Sequence, residues 1–183
     1  MKLMLISDIH GSPSGLEQAL KLSDREQATR IIVLGDLLNP GPRNPLSPDY
    51  DPQAVAALLN TNAARITCVR GNCDSEVDQM LIDVPVMGDY ALVLVDNRQL
   101  FLTHGHLWHP DKLPYLNKGD VFCFGHTHIP VLEQHQGITL FNPGSVTLPK
   151  GGSQASVGWY EDGRLWITDL QGQCLMEGDA ISA

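Results

Sequence analysis

Lys2-Leu3-Met4-Leu5-Ile6-Ser7-Asp8-Ile9-His10-Gly11-Ser12-Pro13 decides the fold class. Its first half, Lys2 to Ser7, is a β-like run. Ser12-Pro13 then offers an N-cap and a first helical turn, and Leu16, Ala19, Leu20 and Leu22 to Arg25 continue at helical spacing. Ile31-Ile32-Val33-Leu34, too short for a helix and bounded by Gly35, reads as a buried parallel strand. Strand, helix and strand in succession predict an α/β chain with a parallel core. Between the first strand and its helix stands Asp8-Ile9-His10, a pair of metal-binding side chains where a strand has just ended.

The same arrangement recurs outward along the chain. The apolar runs ending at Ser7, Leu34, Arg70, Thr103 and Phe124 are followed at once by Asp8-Ile9-His10, Gly35-Asp36, Gly71-Asn72-Cys73-Asp74, His104-Gly105-His106 and Gly125-His126-Thr127-His128. Ligands of α/β sheets bind beyond the carboxyl ends of the strands, so these loops are expected to converge on one edge. Each motif alone is ordinary turn chemistry or a satisfied histidine pair. Five of them at the same structural position point to one site.

The donors are Asp8, His10, Asp36, Asn72, His104, His126 and His128, enough for two four-coordinate ions that share one ligand. Mixed nitrogen and oxygen donors without thiolate favour Mn²⁺, with Fe, Co or Zn²⁺ as alternatives, and disfavour Ca²⁺ or a structural zinc. Two ions about 3.5–4 Å apart, bridged by a carboxylate, clamp the attacking and leaving oxygens of a phosphoryl transfer.

The order of motifs resembles the calcineurin-like metallophosphoesterase superfamily, whose signature runs Asp-x-His, Gly-Asp, Gly-Asn-His-Asp, a His loop and Gly-His-x-His. All five blocks are present, from residue 8 to residue 128. The chain is similar over nearly its whole length to the YfcE-type bacterial phosphodiesterases, including Asn39 to Asn44, Val69 to Met80, Asn142-Pro143-Gly144-Ser145 and Pro149 to Gly152. The resemblance implies an α/β/β/α sandwich of two facing mixed sheets with helices outside. It assigns Asp8, His10, Asp36 and His128 to a first metal and Asp36, Asn72, His104 and His126 to a second, with Asp36 as the bridge. It also implies a metal-activated hydroxide attacking a small-molecule phosphate ester.

One position departs from the superfamily. Cys73 stands where most relatives have the histidine that contacts phosphate and helps protonate the leaving group, a role worth about 10²–10⁴-fold in rate. A neutral thiol donates weakly, so diesters are expected to be preferred over monoesters and a good leaving group to be needed. Asp74 is a candidate to orient Cys73 or a ligand, Arg43 to reach a substrate phosphate, and His106 to line the pocket. A nucleophilic Cys73 is not expected: a Cys-x₅-Arg loop would need Arg where Gln79 stands, and for Cys68 the same loop would need Arg where Asp74 stands. A triphosphate-binding Gly-x-x-x-x-Gly-Lys-Ser/Thr loop is also missing.

Composition sets the outer bounds. With 183 residues, 43% of them hydrophobic and 18% charged, a single domain is expected across residues 1–183. The net charge of −9 and the lack of a basic run argue against a long nucleic acid as main partner, and so against a nuclease of the double-strand-break repair type. Leu3 to Ile6 is too short for an export or membrane signal, so a cytoplasmic protein with reduced cysteines is expected; Cys68 and Cys123 read as small apolar thiols. His109 and His135 read as surface residues, Trp159 and Trp166 as core or interface aromatics. A homo-oligomer is compatible with all of this. The competing reading is a protein-interaction module, because the eukaryotic retromer scaffold subunit is similar in fold and binds rather than turns over.

Between the motifs, Pro40, Pro42, Pro45, Pro48 and Pro52 predict a long surface loop over residues 39–52. A helix is expected at Pro52 to Asn60 and a third strand at Ile66 to Arg70. Val93 to Val95 and Leu100 to Thr103 flank Asp96-Asn97, and Val121 to Phe124 is one more apolar run. After residue 130 the pattern turns antiparallel, with hairpins around Gln136-Gly137 and Asp162-Gly163.

Overall fold

A computed structural model describes residues 1–179 of the chain. Its strands are β1 (Leu3–Ile6), β2 (Arg30–Val33), β3 (Ile66–Cys68), β4 (Tyr90–Val95), β5 (Arg98–Thr103), β6 (Val121–Cys123), β7 (Val131–His135), β8 (Ile138–Asn142), β9 (Ser156–Glu161), β10 (Arg164–Asp169) and β11 (Cys174–Asp179). The helices are α1 (Pro13–Arg25), α2 (Pro52–Thr61) and the single turn α3 (Glu76–Gln79). One sheet runs β11-β10-β9-β1-β2-β3 and the other β4-β5-β6-β8-β7. Both are mixed: β1, β2 and β3 are parallel, as are β5, β6 and β8, and antiparallel strands flank them.

The alternation of side chains along β1 explains why the sheets stack. Leu3 and Leu5 face the second sheet, among Leu102, Cys123, Phe141 and Tyr160. Met4 and Ile6 face the helices, among Leu16, Leu20, Val55 and Leu59. A strand buried on both faces reads as a continuous apolar run, which is what Leu3 to Ile6 is.

The two facing mixed sheets form the expected α/β sandwich, with α1 and α2 outside the first sheet. Over the outer face of the second sheet the described residues form no helix between residues 104 and 120. Trp108, Leu113 and Leu116 of that loop cover Phe101, Phe122 and Phe124 instead. Pro110 and Pro114 account for this, since each removes a backbone donor and blocks the helix that would otherwise lie there. The antiparallel pattern also begins before residue 130, because β4 and β5 already form a hairpin, while β8 adds to β6 in parallel.

The proline-rich segment is the predicted loop, and it is tied down where it runs into α2. Asp51 caps α2 by accepting the Ala54 N–H at 3.0 Å. Ser12, the expected cap of α1, does not cap it; Asp49 reaches across, accepting the Ser14 N–H at 3.0 Å and the Ser12 hydroxyl at 2.9 Å. Burial opposes charge on Asp49, but those donors outweigh it and hold the carboxyl at about 2. No helix among the described residues is long and apolar enough to cross a membrane.

Candidate metal centre

The five loops meet at one end of the sandwich, three from the first sheet and two from the second, and so not along one edge of one sheet. Reaching that point forces the backbone into the left-handed region at Asp8 (φ 56°), His10 (φ 50°), Asp36 (φ 55°), His126 (φ 68°) and His128 (φ 60°). Such conformations cost roughly 1–3 kcal/mol each in non-glycine residues and persist where surrounding structure over-determines them. Here the Asp8 and His10 N–H groups donate to the carbonyls of Gly35 and Asp36 at 3.1 and 3.0 Å. Gly71 and Gly125 allow the close approach: a Cβ on Gly71 would overlap Asp36 Oδ1, and one on Gly125 would overlap Ser7 Oγ.

Three histidines are fixed in one tautomer by backbone acceptors. Nδ1 of His10, His104 and His128 lies 2.8, 2.7 and 2.6 Å from the carbonyl oxygens of Asn39, Leu34 and Leu148. Each ring therefore donates through Nδ1 and turns the lone pair of Nε2 inward. Nε2 of His10 and of His128 then face each other at 3.2 Å.

Asp8 Oδ1 sits among these lone pairs, 3.6 Å from His10 Nε2, 3.3 Å from His128 Nε2 and 4.0 Å from His104 Nε2. It is buried and has no hydrogen-bond partner. Its other oxygen is occupied by the His126 N–H at 3.0 Å. A bare carboxylate oxygen facing lone-pair nitrogens is an arrangement that only a cation or shared protons can stabilise.

Asp36 spans the two halves. Its Oδ2 is 3.8 Å from His10 Nε2 and 3.3 Å from His104 Nε2, while Oδ1 accepts the Cys73 N–H at 2.8 Å. Beyond it His104 Nε2 lies 3.1 Å from Asn72 Oδ1 and 3.2 Å from His126 Nδ1. All seven expected donors are thus brought together, and the groupings Asp8-His10-His128 and Asp8-Asp36-His104 each have ligand atoms within 4.8 Å of one another.

Two buried carboxylates draw positive charge inward. Burial opposes charge on His104, yet Asp36 and Asp8 outweigh it and raise the ring to about 9. His10 is raised in the same way, by Asp8 against burial. Burial is likewise outweighed at Asp8 and Asp36, whose carboxyls are lowered by the surrounding imidazoles. His126 and His128 are lowered, chiefly by burial.

The remaining candidates separate. Asp74 is buried, and all of its bonding goes to backbone: Oδ2 accepts from Asp36 and Gly71 at 2.9 and 2.7 Å, and Oδ1 from Leu37 at 2.8 Å. It orients a ligand loop, and among the described residues it makes no hydrogen bond to the Cys73 thiol. Cys73 and Arg43 line a cavity of about 120 Å³ together with Asp36, Asn72, His126 and His128. Burial, then the charge of Asp36, pushes the Cys73 thiol up to about 12, which keeps it protonated. His106 packs beside His104, ring centroids 5.5 Å apart, outside that lining. Trp159 is core and Trp166 partly buried, Cys123 is buried and Cys68 only partly so, and His109 and His135 are partly exposed. Larger clefts, of about 370 and 520 Å³, lie elsewhere and gather no metal-ligating group among the described residues.

Several working parts carry no sequence signal of their own. Ser145 Oγ donates to the Asp8 carbonyl at 2.8 Å and accepts the Leu148 N–H at 2.8 Å. Asn142 Nδ2 donates to the Gly125 carbonyl at 2.9 Å. These residues lie in stretches the resemblance covers, but their roles depend on backbone partners. Lys150, also at the cavity, was reachable from the same stretch as a cation near His128.

Comparison with known proteins gives a consistent result. Residues 1–161 match the family model of the calcineurin-like phosphoesterase superfamily domain. The chain is 49% identical over 182 residues to phosphodiesterase YfcE of Escherichia coli K12, covering 100% of this chain and 99% of that one. The solved structure of that phosphoesterase superposes with a TM-score of 0.96 over 100% of both chains at 48% identity. A probable metallophosphoesterase of Bacillus subtilis, YsnB, is 32% identical over 158 residues, 82% of this chain and 78% of its own. Vps29 of Chaetomium thermophilum shares the fold, with a TM-score of 0.65 at 14% identity over 100% of this chain and 99% of that one.

Proposed function

The chain belongs to the calcineurin-like phosphoesterase superfamily, and from that premise we propose that it hydrolyses phosphodiester bonds of small organic phosphates at a centre of two divalent cations. Asp8, His10, Asp36 and His128 hold the first ion and Asp36, Asn72, His104 and His126 the second, in one metallophosphoesterase domain. The observation that carries this reading is Asp8 Oδ1, buried without a partner among three Nε2 atoms. Mn²⁺ is the favoured ion, with Fe, Co and Zn²⁺ also compatible with mixed nitrogen and oxygen donors. When bound, such ions supply Lewis-acid charge that lowers the pKa of water and neutralises phosphate oxygens.

The protein's own groups set the rest. Backbone carbonyls of Asn39, Leu34 and Leu148 lock the imidazoles so that no reorientation is needed to bind ions. Arg43 is exposed at the cavity, has no ion pair or hydrogen bond among the described residues, and pairs with a non-bridging oxygen of the ester. The protonated Cys73 offers the leaving oxygen only a weak donor, so esters with good leaving groups react fastest and monoester dianions fare worse than diester monoanions.

The test is hydrolysis of bis(p-nitrophenyl) phosphate by chelator-treated protein before and after Mn²⁺ is restored. Metal-dependent turnover supports the assignment. Absence of turnover in every metal would instead favour the interaction-module reading.

A further inference from the structure

Arg43 and Lys150 open on the site cavity, one acting electrostatically on His126 and the other on His128. Neither has a carboxylate partner among the described residues, in a chain whose net charge is −9. Both are carried on ordered turns. The Lys150 N–H donates to the His128 carbonyl at 3.1 Å, and the Lys150 carbonyl accepts the Ser153 hydroxyl at 2.7 Å. Asn44 Nδ2 closes the Arg43 turn by donating to the Pro40 carbonyl at 3.0 Å.

Charge then sorts the two cations, given the diester reading above, on which this inference rests. Two dications set against Asp8 and Asp36 leave two positive charges, which a diester monoanion and an attacking hydroxide balance. Arg43 matches the planar geometry of phosphate oxygens, whereas an ammonium is a point charge on a flexible stem. Lys150 is left facing the cavity without a counter-charge. A cavity of about 120 Å³ admits a phosphoryl group and little of its arms, so an arm extends beyond it, and the exposed Lys150 is one of the residues that line it. We infer that Lys150 is a specificity residue that reads a second anionic group, a carboxylate or a phosphate, on one arm of the diester substrate.

Three p-nitrophenyl diesters of similar size test this, their second arm being propyl, 2-carboxyethyl or 2-phosphonoethyl. The wild-type protein should favour at least one anionic arm by about tenfold or more in kcat/KM, the worth of one charge-assisted bond, with the gain in KM because binding is equal in ground and transition states. Whichever anionic arm gains more identifies the second group. Lys150→Gln should erase the difference and Lys150→Arg restore most of it. Calorimetric binding of hydrolysis-inert monoethyl phosphonates, with 2-carboxyethyl or 2-phosphonoethyl against propyl, should show the same ratio and the same loss. An anionic preference unchanged by Lys150→Gln, or no preference in the wild type, overturns the inference. So does an equal loss on all three diesters, which would put Lys150 on the scissile phosphate. If no diester is turned over, the diesterase reading fails, while the phosphonate titration still decides the role of Lys150.

Discussion

The backbone amide of Cys73 donates to Asp36 Oδ1 at 2.8 Å, so the residue that departs from the superfamily pattern is fastened to the bridging carboxylate through its main chain, while its thiol accepts from Asn72 Nδ2 at 3.2 Å and lies within reach of Asp36 and His10. The main-chain bond does not depend on which side chain stands at position 73, so a substitution there keeps that anchor on Asp36.

Cys73→His should accordingly keep both ions while adding the donor that a monoester dianion and a poor leaving group need. The ratio of p-nitrophenyl phosphate to bis(p-nitrophenyl) phosphate hydrolysis should rise by at least about tenfold, within the range general acid catalysis supplies. An unchanged ratio at full metal occupancy would remove the explanation for diester preference.

Asp74 acts at one remove. Its carboxylate accepts three amides, from Asp36, Leu37 and Gly71, whereas the side chain of Asn offers one acceptor oxygen and sets an NH₂ group against an amide donor. Asp74→Asn should lose about 1–3 kcal/mol of stability. Its affinity for Mn²⁺ should fall about 10–100-fold, with kcat largely recovered at saturating metal. Denaturation midpoints and metal titrations of activity check this; a kcat loss that excess metal does not recover would point to direct contact with substrate.

The cap that Asp49 places on α1 predicts a pH dependence. Its folded-state carboxyl is depressed to about 2 from an ordinary 3.8, so its contribution is fully present above about pH 4 and lost as pH falls through the folded value. Asp49→Ala should cost about 1 kcal/mol near neutrality, as removal of an N-cap does. Urea midpoints of the two proteins should differ by a constant amount from pH 5 to 7 and converge below pH 4. A difference that grows toward acid would contradict the assignment.

What the sequence made legible was local. Leu3 to Ile6 names a strand, Pro40 to Pro52 names a loop, and the five polar motifs follow directly on five strands, so the donors could be counted before any geometry was known. The supports could not be read in that way. His10, His104 and His128 are oriented by carbonyls of Asn39, Leu34 and Leu148, and a carbonyl carries no residue identity. Strand β11 escaped notice because its Cys174–Asp179 sequence is largely exposed at a sheet edge and lacks a buried apolar run. Pro110 and Pro114 mark the segment after β5 as a loop, but only the packing of Trp108 and Leu113 against Phe101 and its neighbours shows that this loop covers the second sheet. Asp74 lay inside a recognised motif, yet its work is done on main-chain donors.

The most direct measurement is the metal content of the purified chain, by equilibrium titration with Mn²⁺ alongside elemental analysis, in the wild type and in Asp36→Ala. Two ions per chain are expected in the wild type, with both lost and turnover abolished in the variant, because Asp36 Oδ2 faces both His10 and His104. Saturation at one ion or none in the wild type, or normal turnover without Asp36, would contradict a shared two-metal centre.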